Sequence, residues 1–134
     1  MRARFYVFVA GLGLLATAAP IMAHHSFTAE YDASKPVTLT GAVTKVEWMN
    51  PHARFYIDVK DDSGTVTNWE LELGSPNALM RLGWTRNSLK PGEMVTVEGS
   101  LAKDGSKLAN ARKVTLADGR KVFAGSAADN DQKQ

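Results

Sequence analysis

The 134-residue sequence contains no cysteine and only three histidines. Without cysteine there is no disulfide, no thiol nucleophile and no thiolate metal site, so a folded domain must be held by packing and hydrogen bonds. Also missing are an HExxH pair, a phosphate-cradling glycine loop and a supported Ser/His/Asp arrangement, which removes the sequence signatures of metal hydrolases, nucleotide binders and serine hydrolases. No internal repeat or low-complexity tract is present. No apolar run reaches the roughly 20 residues that a membrane-spanning helix needs.

The one sizeable apolar run is N-terminal and reads as an export signal. Arg2 and Arg4 give a positive front, Phe5 to Ala19 form the apolar segment, and Pro20 leads into Ile21-Met22-Ala23. Small Ala23 at the last position predicts cleavage before His24, with Ala16-Thr17-Ala18 offering an alternative cut. The two arginines are not adjacent, so the twin-arginine export signal is absent. The expected location is the periplasm. The chain carries 16 Lys and Arg against 14 Asp and Glu, and residues 1–23 hold two of the basic residues and none of the acidic ones. The mature chain therefore has no formal net charge. This balance argues against a nucleic-acid binder, which needs a concentrated positive surface. A mature chain of this length supports one domain with a real core.

Beyond the signal, the pattern is that of short strands. Val37 to Trp48, VTLTGAVTKVEW, places Val37, Leu39 and Val43 on one face but Val46 and Trp48 on the other, which predicts a bulge between Gly41 and Lys45. Phe55, Ile57 and Val59 alternate over Arg54 to Lys60, and Trp69, Leu71 and Leu73 alternate over Val66 to Leu73, with the turn Asp61-Asp62-Ser63-Gly64 between them. Ser75-Pro76 predicts a short helix that ends at Gly83. Further strands follow Lys90-Pro91-Gly92 and Lys103-Asp104-Gly105-Ser106, and Asp118-Gly119 permits a terminal hairpin into Arg120 to Phe123. The predicted fold is mainly β: a small five-stranded barrel resembling the oligonucleotide/oligosaccharide-binding (OB) type, with one short helix between strands 3 and 4. The expected plan is a secretory signal over 1–23, an N-terminal arm over 24–36, the β-domain over 37–124 and a flexible tail over 125–134.

Four stretches, HHSFTAEYD at His24 to Asp32, VEWMNPHARFYIDV at Val46 to Val59, NWELELGSPNALMRLGWTRNSLKPG at Asn68 to Gly92 and ANARKVTLADGRKVFAGS at Ala109 to Ser126, carry a resemblance. With them the chain resembles an uncharacterised family of short exported proteins of Gram-negative bacteria. The resemblance implies an exported small β-domain and brings no reaction with it.

The histidines are the most chemically suggestive residues. Cleavage before His24 would attach a free amine to a histidine, and that amine with its imidazole forms a chelate. A second imidazole would complete a three-nitrogen, T-shaped site of the histidine-brace kind; His52 is the better source and His25 competes. Nitrogen donors favour Cu(II), and because imidazole binds only when neutral, affinity falls on acidification. The ordinary alternative is that His24, His25 and His52 are solvated or bonded within their turns. Trp48 and Trp84, beside turns, with Asn50, Arg54 and Arg86, are the candidate ligand or partner surface, while Trp69 is expected in the core and Asn50 also suits a turn. Glu70 and Glu72 share a strand face, whose ordinary reading is solvated. The expected function is a periplasmic binding or accessory protein, copper being the one cofactor suggested. A metal-independent structural or interaction module is the alternative, and a mononuclear copper enzyme is a third class. The expected partners are a metal ion or a periplasmic protein, with no nucleic acid and no stable membrane span after processing.

Overall fold

The computed structural model describes residues 27–126. The expected export signal over residues 1–23, His24 and His25, and residues 127–134 of the expected tail lie outside them. The elements are β1 (Tyr31–Glu47), β2 (Arg54–Lys60), β3 (Val66–Glu72), α1 (Pro76–Arg81), β4 (Met94–Ala102), β5 (Leu108–Thr115) and β6 (Lys121–Phe123). Antiparallel pairs join β3 to β2, β2 to β1, β1 to β4, β4 to β5 and β5 to β6, and a parallel contact of β3 with β5 closes the first five strands into a ring. This is the expected OB-like barrel with its helix between β3 and β4. The short β6 takes the part of the β5 edge that β3 leaves, pairing Lys113 to Thr115.

Closure depends on β1 serving two neighbours. Its residues from Tyr31 to Ala42 pair with β4, and those from Ala42 to Glu47 pair with β2. Between Val43 and Lys45 the register slips by one residue, so that Val43 and Val46 both face the core opposite Ile57 and Phe55. The predicted bulge is therefore real, and it reconciles the two phases of the apolar pattern. Gly41 sits at the bend because a Cβ there would run into the Asp58 carbonyl.

The strand begins earlier than the sequence suggests. Residues 31–36 belong to β1 and not to an arm, although Asp32-Ala33-Ser34-Lys35-Pro36 has no apolar alternation. Tyr31 and Pro36 pair with Ala102 and Ser100 of β4 on either side of an irregularity, within which Asp32 accepts the Ser34 N–H and hydroxyl, and Pro36 is tolerated where the strand has a partner on one side only. At the other end the packed chain outlasts the expected domain, since Ala124 and Ser126 are both buried.

The core inside the ring is built from Val43, Phe55, Ile57, Leu71, Val95, Val97 and Val114. Leu79 of α1 plugs one end. Ser75 caps that helix by accepting the Ala78 N–H at 3.2 Å, and Pro76 occupies its first turn. A second, smaller cluster lies outside the ring: Phe27, Tyr31 and Ala102, with Leu108 packed against them. Here residues 27–30 form a helical turn, the Phe27 and Tyr31 rings lie 5.6 Å apart, and the Glu30 carbonyl accepts the Lys103 N–H at 2.9 Å. Lys103 Nζ also donates to the Thr28 carbonyl. The N-terminal segment is thus laid over the outer side of the seam between β3 and β5. Among the described residues, no helix is long and apolar enough to cross a membrane.

Candidate functional site

The hairpin register of β2 and β3 sets Arg54 opposite Glu72 and Tyr56 opposite Glu70, all on the outer face of the barrel. Arg54 bridges both carboxylates, reaching Glu70 Oε1 at 2.5 Å and Glu72 Oε2 at 3.3 Å. The same Glu72 Oε2 accepts the Tyr31 hydroxyl at 2.9 Å, and Glu72 Oε1 lies 3.3 Å from Nδ1 of His52. Glu72 therefore touches three groups from three parts of the chain: the N-terminal segment, the turn before β2, and β2 itself. Its side chain is 9% exposed, whereas that of His52 is 43% exposed. One side of the imidazole is held against the barrel while the ring stays accessible.

The electrostatics follow from this crowding. Burial, and then the Glu72 charge, push the Tyr31 phenol above the usual tyrosine range. Burial followed by the same Glu72 charge also raises the Glu30 carboxyl. The hydrogen bond to Glu70 raises Arg54 further above its already high value. The cluster is a set of carboxylates sharing one guanidinium, with a neutral phenol as an extra donor. Asn110 lies opposite Glu72 across the seam, buried, and its Oδ1 has no hydrogen-bond partner.

Of the residues singled out from the sequence, His52 and Arg54 enter this cluster, and His24 and His25 lie outside the described residues. Trp48, Trp84 and Arg86 come together elsewhere, lining a crevice with Val46, Leu73 and Leu89. Trp84 departs from the expected recognition surface: it is 3% exposed, because its ring packs into the core and its Nε1 donates to the Phe123 carbonyl at 2.8 Å. Trp48 is half-buried against the same core. Asn50 is exposed in the turn, joined to Pro51 by a cis peptide bond. Arg54 is no free anion ligand, since both of its neighbours are carboxylates. Glu72 departs from the solvated reading of its strand face, because the N-terminal segment covers it.

Tyr31 is the functional candidate that the sequence did not point out, and Glu72 was singled out only as one of two carboxylates on a strand face read as solvated. The Arg54 and Glu72 pair could have been found by counting outward from the Asp61 to Gly64 turn; nothing local indicates the contact with Tyr31. A separate cleft of about 400 Å³ opens between the loop after α1 and the turn between β5 and β6, with Trp84, Asn87, Lys90, Glu93, Asp118 and Arg120 among its lining. Its charges are mixed in sign, and Arg120 is already bonded to Asp118 at 2.7 Å. Among the described residues, no three His, Asp or Glu side chains are gathered to hold a metal by themselves.

No curated protein matches the chain. Solved structures that match include the mitochondrial single-stranded DNA binding protein Rim1 of S. cerevisiae, 12% identical with a TM-score of 0.48, over 61% of this chain and 92% of that one. Another is TiaS in its complex with a tRNA and ATP, 23% identical with a TM-score of 0.46, over 63% of this chain and 18% of that one. Similarity at this level bears on neither ligand nor activity. A family model, in contrast, matches residues 11–111, which is most of the chain, and the protein belongs to that family of unknown function (DUF6152).

Proposed function

We propose that the mature chain is a periplasmic binding or accessory protein that takes up Cu(II) through the amine and imidazole of His24 together with the imidazole of His52. One observation carries this reading. Tyr31 and His52 contact the two oxygens of one carboxylate, that of Glu72, so Tyr31, four residues after Phe27, is held beside the one histidine among the described residues. Three peptide steps separate Phe27 from His24, a reach of about 10 Å when extended. Imidazole and amine nitrogens suit Cu(II) among the divalent first-row metals.

Export and the new N-terminus rest on the leader pattern, and intact mass of the exported protein tests both: a first residue other than His24 removes the chelate. Cu(II) titration under competitive chelation then compares wild type with H24A, H25A and H52A. We expect at least tenfold weaker binding for H24A and H52A and little change for H25A; equal affinity in all four rejects the site. Specific binding without oxygen-dependent turnover favours carriage or sensing, and turnover favours the copper enzyme.

A metal-independent interaction module is favoured by a different observation. Met80 and Leu82 at the end of α1 and Phe123 of β6 are exposed, Phe123 by 58%, and Leu82 lies next to Gly125 beyond β6. If this apolar surface is the working one, L82S and F123S lose a partner that the copper-free protein keeps.

A further inference from the structure

The geometry points to Glu72 as a positioning residue that selects the metal-binding tautomer of His52; this rests on His52 being a copper ligand as proposed above. Glu72 Oε2 is committed to two donors, the Tyr31 hydroxyl at 2.9 Å and an Arg54 nitrogen at 3.3 Å. The remaining oxygen, Oε1, faces His52 Nδ1 at 3.3 Å. A carboxylate can only accept, so a neutral His52 in this place carries its proton on Nδ1 and leaves the lone pair of Nε2 free for a metal. Outer carboxylates of this kind fix the ring and raise the basicity of the ligating nitrogen. The same carboxylate holds Tyr31, which joins the segment bearing the first ligand to the turn bearing the second.

Glu72→Gln is the sharp test, because it keeps the shape and reverses the polarity at one atom. With Tyr31 and Arg54 both donating, the amide oxygen of the glutamine must turn toward them and its NH2 toward His52. Nδ1 then accepts, the proton moves to Nε2, and the metal-binding lone pair is lost. We expect E72Q to lower Cu(II) affinity about 10–100-fold, with an electron paramagnetic resonance spectrum matching that of H52A, while its circular dichroism stays that of the wild type. The double variant H52A/E72Q should bind no more weakly than H52A alone.

Wild-type affinity and spectrum in E72Q overturn the inference, as do losses that simply add in the double variant. Should E72Q fold poorly, E72A, which frees Nδ1 without forcing the proton onto Nε2, is expected to weaken Cu(II) binding by less than H52A does, and wild-type affinity in E72A overturns the inference equally. The two readings fail separately. If H52A weakens copper binding and E72Q does not, only the role of Glu72 falls; if H52A binds as the wild type does, the ligand set itself is wrong and Glu72 has nothing to position.

Discussion

Replacing Tyr31 by phenylalanine removes the O–H that meets Glu72 and leaves the ring in its cluster. A hydrogen bond to a charged group is worth about 1.5–3 kcal/mol, and that is the expected loss of stability in urea denaturation of Y31F at neutral pH. The loss depends on pH in a definite direction. The folded protein holds the phenol proton above the usual range, whereas the unfolded chain releases it near pH 10, at about the ordinary tyrosine value. The contribution is therefore complete below that pH and disappears as pH rises through the raised folded value, so the gap between wild type and Y31F should narrow from pH 8 to pH 11. Little of this was legible in the sequence. Tyr31 and Glu72 are 41 residues apart, and strand alternation correctly put Glu72 on the outer face; what buries it is the N-terminal segment, which no local pattern reveals. His52 was legible as a ligand candidate because a histidine after Asn50-Pro51 must sit in a turn, but its carboxylate partner was not.

Elements were easier to read than contacts. The β2 boundaries follow from Phe55, Ile57 and Val59 set between Pro51 and the Asp61 turn, and α1 follows from Ser75-Pro76 at one end and Gly83, at φ +94°, at the other. The start of β1 was hidden because its first six residues carry no core-facing pattern and only Tyr31 and Pro36 among them pair with β4. Two predictions belong here. Gly41→Ala drives a methyl into the Asp58 carbonyl at the bend, and an overpacking cost of about 1–3 kcal/mol should appear as a lower denaturation midpoint. In the turn between β2 and β3, Asp61 accepts the Ser63 hydroxyl at 2.6 Å and the N–H groups of Ser63 and Thr65 at 2.9 Å. These bonds, led by the Ser63 hydroxyl, hold the Asp61 carboxyl below the usual range. Its stabilisation is present above the ordinary aspartate value of about 3.9 and is lost as pH falls through the lower folded value. D61N should thus be less stable than wild type at pH 7, with the difference closing on acidification toward pH 2.

For the molecule as a whole, the outer face of β1, β2 and β3 carries Glu47, Asp58, Glu70 and Glu72 against Lys45, Arg54 and Lys60. Lys45 is paired with Glu47 at 2.8 Å, and Arg54 with Glu70 and Glu72. A polyphosphate backbone needs unpaired cations along its path. Fluorescence anisotropy with single-stranded DNA or RNA should therefore show no salt-sensitive binding, and a micromolar complex that weakens as salt rises would contradict this. The ring itself is joined at its last seam by three residue pairs, Glu70 with Leu108, Leu71 with Ala109 and Glu72 with Asn110. Opening of so short a ladder frees the Glu70 amide from the Lys107 carbonyl and uncovers the carboxylate that steadies Tyr31 and His52. Any ligand that prefers the closed arrangement would stabilise the barrel by mass action, so amide hydrogen exchange at Glu70 serves as a gauge of occupancy: the slower the exchange, the more firmly the seam is shut.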